Sequence, residues 1–339
     1  MSRPVKLGLV MRRPHLALVF AVLVAIVGVS GILVAAGVVG RPSTAGDGEV
    51  VIWAVTALPD GRLVAVGGTD DVPGGLVEAV SNDDGITWAV SRPGPPAFTA
   101  VSAAGTRLVG ATNCVIQIHQ AGESVVTDVP GSCLYESADG GRTWHDMGQG
   151  LIDDPSFVDG SHGFGHSPAD ERSQEPQRLY STNDGGHSWV AHASPCDSTA
   201  PVLVQSVAIS ANTAAVLCTA GADSATWEIV ELDIASSSST VVARVGTNGA
   251  PDIELFRFAM RPGGLLLLFG DDVYRSADYG ATWMKAGSPG AGVRVLGGAF
   301  TSDRTGYFAI ANVGIFSGIA KTDDGGWTWR ELIRWPYFG

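Results

Sequence analysis

From residue 50 onward, short apolar runs alternate with clusters of Gly, Pro, Asn, Asp and Ser. Runs of that length between turn formers read as strands, not helices. In one stretch DIELFRFAM (252–260) is followed by GLLLLFG, DVYRSAD and TWMKAG, four strands in a unit of about 45 residues. The next unit repeats the order with VRVLGGAF, GYFAIAN, FSGIAKTDD and TWREL, and an earlier one with VQSVAIS, TAAVLCT, TWEIVELDI and TVVARVG. Two units carry a Phe-x5-Gly-aromatic spacing, Phe157 to Gly163-Phe164 and Phe300 to Gly306-Tyr307. With the unit around Phe157 and units at about 50–92 and 97–149 added, the count is six. Four-strand units repeating every 40–50 residues predict an all-β fold, a β-propeller of six four-stranded blades. A seventh blade stays open, since the C-terminal IRWPYFG could complete the last blade or reach the first.

Before residue 50 the pattern changes. Residues Leu16 to Val39 form 24 positions without a charge, enough for a helix to cross a hydrocarbon core of about 30 Å. Arg3, Lys6, Arg12 and Arg13 precede it, which keeps the N-terminus inside. The expected organisation is a basic cytoplasmic segment (1–14), a transmembrane signal anchor (15–40), a linker (41–49) and an extracytoplasmic propeller (50–339). Ser43-Thr44-Ala45 leaves a cleaved signal, and hence secretion, as the other reading. Arg12-Arg13 lacks the surroundings of a twin-arginine signal.

The most informative feature is an octapeptide present five times: SNDDGITW (81–88), SADGGRTW (137–144), TNDGGHSW (182–189), SADYGATW (276–283) and TDDGGWTW (322–329). Its pattern is [ST]-x-D-x-G-x-[ST]-W, with starts 56, 45, 94 and 46 residues apart. The double interval contains a unit whose copy has decayed, into Ser236–Ser239 or into ADSATW (222–227), and strand order favours the first. The third residue of each copy (Asp83, Asp139, Asp184, Asp278, Asp324) suits a turn in which a carboxylate accepts backbone N–H groups. The Gly at position five supplies a positive φ, and the hydroxyl of position seven can close the turn. The closing indole (Trp88, Trp144, Trp189, Trp283, Trp329) is large enough to fill the wedge against a neighbouring blade. Tyr135, Tyr180 and Tyr274, two residues before a copy, fall on the same strand face as packing partners.

These octapeptides resemble the Asp-box, or BNR repeat, of sialidases, sortilin-type receptor domains and photosystem II assembly-factor-like proteins. The resemblance implies perimeter boxes with a structural role. It also implies, for a sialidase, three arginines around a substrate carboxylate, the first in a Phe-Arg-Ile-Pro motif. The corresponding stretch here has Ile52-Trp53-Ala54 and no arginine, with Arg62 past the turn. Tyr307 is late enough for the family's tyrosine nucleophile, but its spacing from Phe300 reads as packing. No catalytic set is recognisable, so a binding or scaffold module is expected; the alternative is a sialidase-like glycoside hydrolase.

Composition narrows the partners. The chain of 339 residues has a net charge of −13, and residues beyond 41 hold 16 basic against 34 acidic groups, which excludes a general nucleic-acid binder. Loops assigned to the ligand face carry many acids, among them Asp70, Asp71, Glu123, Asp128, Asp153, Asp154, Asp197, Asp252, Asp271 and Asp272. The longest polar loop, SPADERSQEPQ (167–177), is the first choice for a contact surface. Asp170, Glu171, Arg172, Asp271 and Asp272 are therefore the candidate binding residues, and the expected partner is a protein, a peptide or a glycan. Five histidines (145, 162, 166, 187, 192) cluster in sequence, but GSHGFGHSP is no helix that could align His162 with His166; neither a metal nor a cofactor is expected. Asp153-Asp154 and Asp271-Asp272 read as solvated turn acids before calcium ligands. Cys114, Cys133, Cys196 and Cys218 contain no CxxC and suit two disulfides in an oxidising compartment, with three pairings open.

Overall fold

The computed structural model describes residues 50–69, 76–91, 97–119, 126–150, 152–167, 177–196, 202–219, 227–245, 257–260, 266–269, 272–278, 282–302, 304–312 and 315–336. They form six four-stranded antiparallel sheets, each from one uninterrupted stretch of chain and each ordered as in the sequence. The first comprises β1 (Val50–Ala57), β2 (Leu63–Thr69), β3 (Leu76–Ser81) and β4 (Ala89–Ser91). The second comprises β5 (Ala100–Ala104), β6 (Arg107–His119), β7 (Val126–Ser137) and β8 (His145–Gly150). In the third are β9 (Asp153–Phe157), β10 (Gly163–His166), β11 (Leu179–Thr182) and β12 (Val190–His192), and in the fourth β13 (Val202–Ser210), β14 (Thr213–Thr219), β15 (Trp227–Asp233) and β16 (Ser238–Val245). The fifth has β17 (Arg257–Met260), β18 (Leu266–Phe269), β19 (Val273–Ser276) and β20 (Met284–Lys285). The last has β21 (Arg294–Phe300), β22 (Gly306–Asn312), β23 (Phe316–Thr322) and β24 (Arg330–Pro336). This is a β-propeller of four-stranded blades.

First strands line the axis. Each touches the next in the order β1, β5, β9, β13, β17, β21, and β21 returns to β1. Polar side chains stitch this inner wall across blades: Ser102 Oγ accepts from Phe157 N–H (3.1 Å), Ser156 Oγ from Ala208 N–H (3.1 Å), Gln205 Oε1 from Phe258 N–H (2.9 Å) and Ser317 Oγ from Ile52 N–H (2.8 Å). Between blades lie apolar clusters, each drawing residues from two adjacent sheets. Trp335 of β24 is buried in the cluster that Ile52 and Tyr307 share, so the C-terminal segment both completes its own sheet and packs on the first.

The octapeptides connect third to fourth strands. In each, the position-seven hydroxyl donates to one oxygen of the Asp (2.5–2.7 Å) and its backbone N–H to the other, while the first-position hydroxyl donates to the same carboxylate. Asp83, Asp139, Asp184, Asp278 and Asp324 are thus all turn acceptors. In four copies that first hydroxyl also accepts the N–H of the position-five glycine. Hydrogen bonds from Ser188 and Thr282 hold Asp184 and Asp278 down to about 2. Two consecutive residues, not one, take positive φ: Gly140-Gly141, Gly185-Gly186, Gly325-Gly326 and, with a side chain, Asp84-Gly85.

The octapeptide tryptophans stand at the interfaces between sheets. Trp88, Trp144, Trp189, Trp283 and Trp329 each pack against a different interblade cluster, and all five are half-buried. At Trp88, Trp189 and Trp329 the polar edge of the indole finds a backbone acceptor, whereas Nε1 of Trp144 and of Trp283 is buried without a hydrogen-bond partner among the described residues. Trp88 Nε1 donates to the Gly85 carbonyl of its own turn at 3.1 Å, and Trp189 Nε1 does the same to Gly186 at 3.0 Å. Trp329 Nε1 instead crosses to the Gly287 carbonyl beyond β20 (2.7 Å), while its ring meets Phe308 edge-on. Trp88 packs between the last and first sheets, and Trp329 between the fifth and last. Tyr135, Tyr180 and Tyr274 share clusters with Trp144, Trp189 and Trp283. Phe157 and Phe300 face Gly163 and Gly306 across their ladders, where a Cβ would strike the ring.

The disulfides are Cys114–Cys133 within the second sheet and Cys196–Cys218 between the third and fourth (Cα–Cα 5.8 and 5.6 Å). In the fourth sheet residues 234–237 make a plain hairpin turn, with Asp233 accepting from Ala235 and Ser236 N–H, so the octapeptide's place is taken by the serine run; Trp227 belongs to β15. The apolar segment 16–39 lies outside the described residues, among which no helix is long and apolar enough to cross a membrane.

Candidate functional site

In an antiparallel meander the starts of the first strands and the octapeptide turns fall at opposite ends of the ring. At the strand-start end a cavity of 380 Å³ opens, lined by Trp53, Asn113, Asp153, Asp154, His166, Arg257 and Arg294 among others. Below it the channel widens to 1030 Å³. Six residues line both spaces: Trp53, Thr99, Ala100, Asp154, Arg257 and Leu296. They form a septum.

Irregularities of the inner strands put the septum there. The β1–β2 register skips at Trp53, the β9–β10 register between Asp153 and Ser156, the β13–β14 register at Val204 and the β21–β22 register at Leu296. A bulge turns a side chain out of the alternation it would otherwise follow, and such bulges gather beside binding sites. Trp53 is thereby 40% exposed although it sits on an innermost strand. Asp154 is held at φ +48°, a conformation Asp tolerates but rarely takes.

The charged groups form one connected set. Asp154 Oδ2 accepts from Arg257 Nη1 at 2.7 Å, an ion pair from the third sheet to the fifth. Asp153 accepts the backbone N–H of Asp154 (2.9 Å) and lies opposite His166 across the ladder. Burial pushes Asp153 up and His166 down, so both are driven towards their uncharged forms. Ser206 Oγ lies 3.5 Å from His166 Nδ1. Among the described residues the mouth carries Arg257 and Arg294 beside Asp153 and Asp154; most of the acidic loop residues assigned to this face lie outside the described residues.

Of the candidate binding residues, Asp170, Glu171, Arg172 and Asp271 lie outside the described residues, and Asp272, just before β19, pairs with exposed Lys285 (2.5 Å). The stem of the 167–177 loop is closed by Ser167 and Arg178, and Gln177 reaches Leu203 N–H at 2.7 Å. The histidines do not converge. His162 pairs with Asp159 in the β9–β10 turn, His166 is at the far end of β10, and His192 meets Ser181 Oγ at 2.7 Å. Tyr307 donates to Asp84, and burial with that carboxylate pushes it up to about 12. Trp53, Arg257 and Arg294 are functional candidates that sequence reasoning passed over; the signal was a charged or aromatic residue inside an otherwise apolar first strand, as in IWA, FRF and VRV.

No family model and no curated protein matches the chain. Solved structures do. The Aleuria aurantia lectin in complex with Fucalpha1-6GlcNAc is similar over 86% of this chain and 96% of its own, at 13% identity and a TM-score of 0.54. A protein of unknown function from Dyadobacter fermentans matches over 81% and 94%, at 13% identity and 0.53. The SapL1 lectin in complex with alpha methyl fucoside matches over 84% and 95%, at 15% identity and 0.52. At such identities the likeness establishes the fold, a β-propeller.

Proposed function

We propose that this chain is a membrane-anchored, extracytoplasmic binding module, a six-bladed Asp-box propeller that takes its partner into the strand-start mouth of the channel. The observation that carries the reading is the set of bulges at one level of the inner wall, which sets Trp53, Asp154 and Leu296 across the channel. A wall serving packing alone needs neither an exposed indole nor a left-handed aspartate. The apolar run before residue 41 and two disulfides support the compartment. The test is capture of peptides and glycans by the full chain in detergent micelles, beside Trp53→Ala and Asp154→Asn. Ligands held by the parent and lost by both variants support the mouth. Ligands held equally by all three move the site elsewhere, the 167–177 loop being the next place to look. Protease access to the folded domain in intact cells, and N-terminal sequencing of the mature chain, check anchoring and side.

A sialidase-like hydrolase is the second reading, favoured by two arginines beside two carboxylates in one cavity. Arg257 is committed to Asp154, so a carboxylate clamp would first have to break that pair. Turnover of a fluorogenic sialoside, abolished by Arg294→Ala, would establish it.

A further inference from the structure

The chemistry of the septum narrows the ligand class, an inference that rests on the binding reading above. Asp154 and Arg257 stand as a fixed pair, acceptor beside donor. At this pair an anionic ligand would face the Asp154 carboxylate and a cationic one the Arg257 guanidinium, and either gains there only by breaking the bond between them. A hydroxyl both donates and accepts, so two vicinal hydroxyls bridge such a pair and leave it intact. Trp53 supplies the other half of the match: a 40% exposed indole in the lining of the recess, a side chain suited to the C–H face of a saturated ring. A space of 380 Å³ is near the small end of ligand pockets, about 300–1,000 Å³. It fits a ring or two, not the face of a folded protein. We infer that the mouth binds an uncharged sugar ring at the end of a glycan, stacked on Trp53 with adjacent hydroxyls on Asp154 and Arg257.

The experiment is a glycan array probed with the full chain in detergent micelles, carrying neutral glycans, their sialylated counterparts and a panel of peptides. Neutral glycans are expected to bind, and sialylation of the same terminal ring to abolish binding. Trp53→Ala should weaken affinity by about tenfold, and Asp154→Asn, which keeps a side chain tolerated in left-handed backbone, by at least as much. Melting temperatures close to the parent's show that both variants fold. Absence of any bound neutral glycan, or neutral-glycan binding that neither variant weakens, overturns the inference. Peptides bound alone, and lost in both variants, remove the sugar but keep the binding mouth; capture that no septum variant affects removes both.

Discussion

Glu78 in β3 is 1% exposed, and neither carboxylate oxygen has a hydrogen-bond partner. It points across the first blade interface at the second octapeptide turn, where a Cβ on Gly141 would run into its carboxylate. Burial raises it from 4.5 to about 7; the Trp144 indole and Arg142 offset part of that, and Asp139 adds repulsion. A carboxyl raised on folding favours the folded state while protonated, so its stability is lost as pH rises from about 4.5 through 7. The loss is on the order of 2–3 kcal/mol, and urea unfolding at pH 5 and pH 8 should show it. Glu78→Gln should flatten the difference; an unchanged slope would place the charge elsewhere. The octapeptide carboxylates run the other way. Asp184 and Asp278, held near 2, contribute stability above pH 4 that disappears as pH falls towards 2. Gly141→Ala meets both the Glu78 clash and a φ of +97°, and a loss of roughly 2–4 kcal/mol is expected in the same assay.

At the scale of the element, five of the six interfaces between sheets carry an octapeptide tryptophan, and the third-to-fourth does not. There the Cys196–Cys218 disulfide, with both cysteines buried among Phe164, Leu179 and Leu203, spans the two sheets. A covalent staple thus stands where the indole is missing. Trp283→Ala should cost about 1–3 kcal/mol, less than a fully buried tryptophan would. Replacing both Cys196 and Cys218 by Ser should cost about 2–4 kcal/mol, and calorimetry of the two variants would compare the fasteners directly. The strands, the turns and their tyrosine partners were legible because each rests on spacing within one unit. How deeply Trp88 and Trp329 enter their wedges was not, since the acceptor that holds an indole at the rim belongs to three-dimensional context. The mouth was hidden too. A bulge is a one-residue slip against a neighbouring strand, so alternation along Val50–Ala57 gives no sign that Trp53 leaves the ladder and faces the channel. Nor does spacing reveal that Arg257 reaches Asp154, since the two are 103 residues and two blades apart. Asp84 stands where three other copies have glycine, a departure visible in the sequence whose reason appears only once the ring is closed.

For the whole molecule, closure rests on side chains. Asp84, left-handed at φ +61°, accepts from Tyr307 and from Lys321 Nζ (2.6 Å), and Lys321 also pairs with Asp323 (3.0 Å). Elsewhere round the ring comparable links join sheets already consecutive in the chain, as Arg107 to the carbonyls of Gly160 and Gly185 and Arg275 to that of Gly325. Lys321→Ala should destabilise by roughly 1–2 kcal/mol, Asp84 being half exposed. Hydrogen exchange should rise first in β1 and β22, and a uniform rise would mean that the seam carries no special share. Among the described residues no strand of the last sheet is borrowed from the first: backbone ladders end at β24 and begin afresh at β1. Mechanically, then, the domain is a bracelet with one clasp. Under a pulling force on its two ends the clasp yields before any blade unravels, and the released band can snap shut again without rebuilding a single ladder.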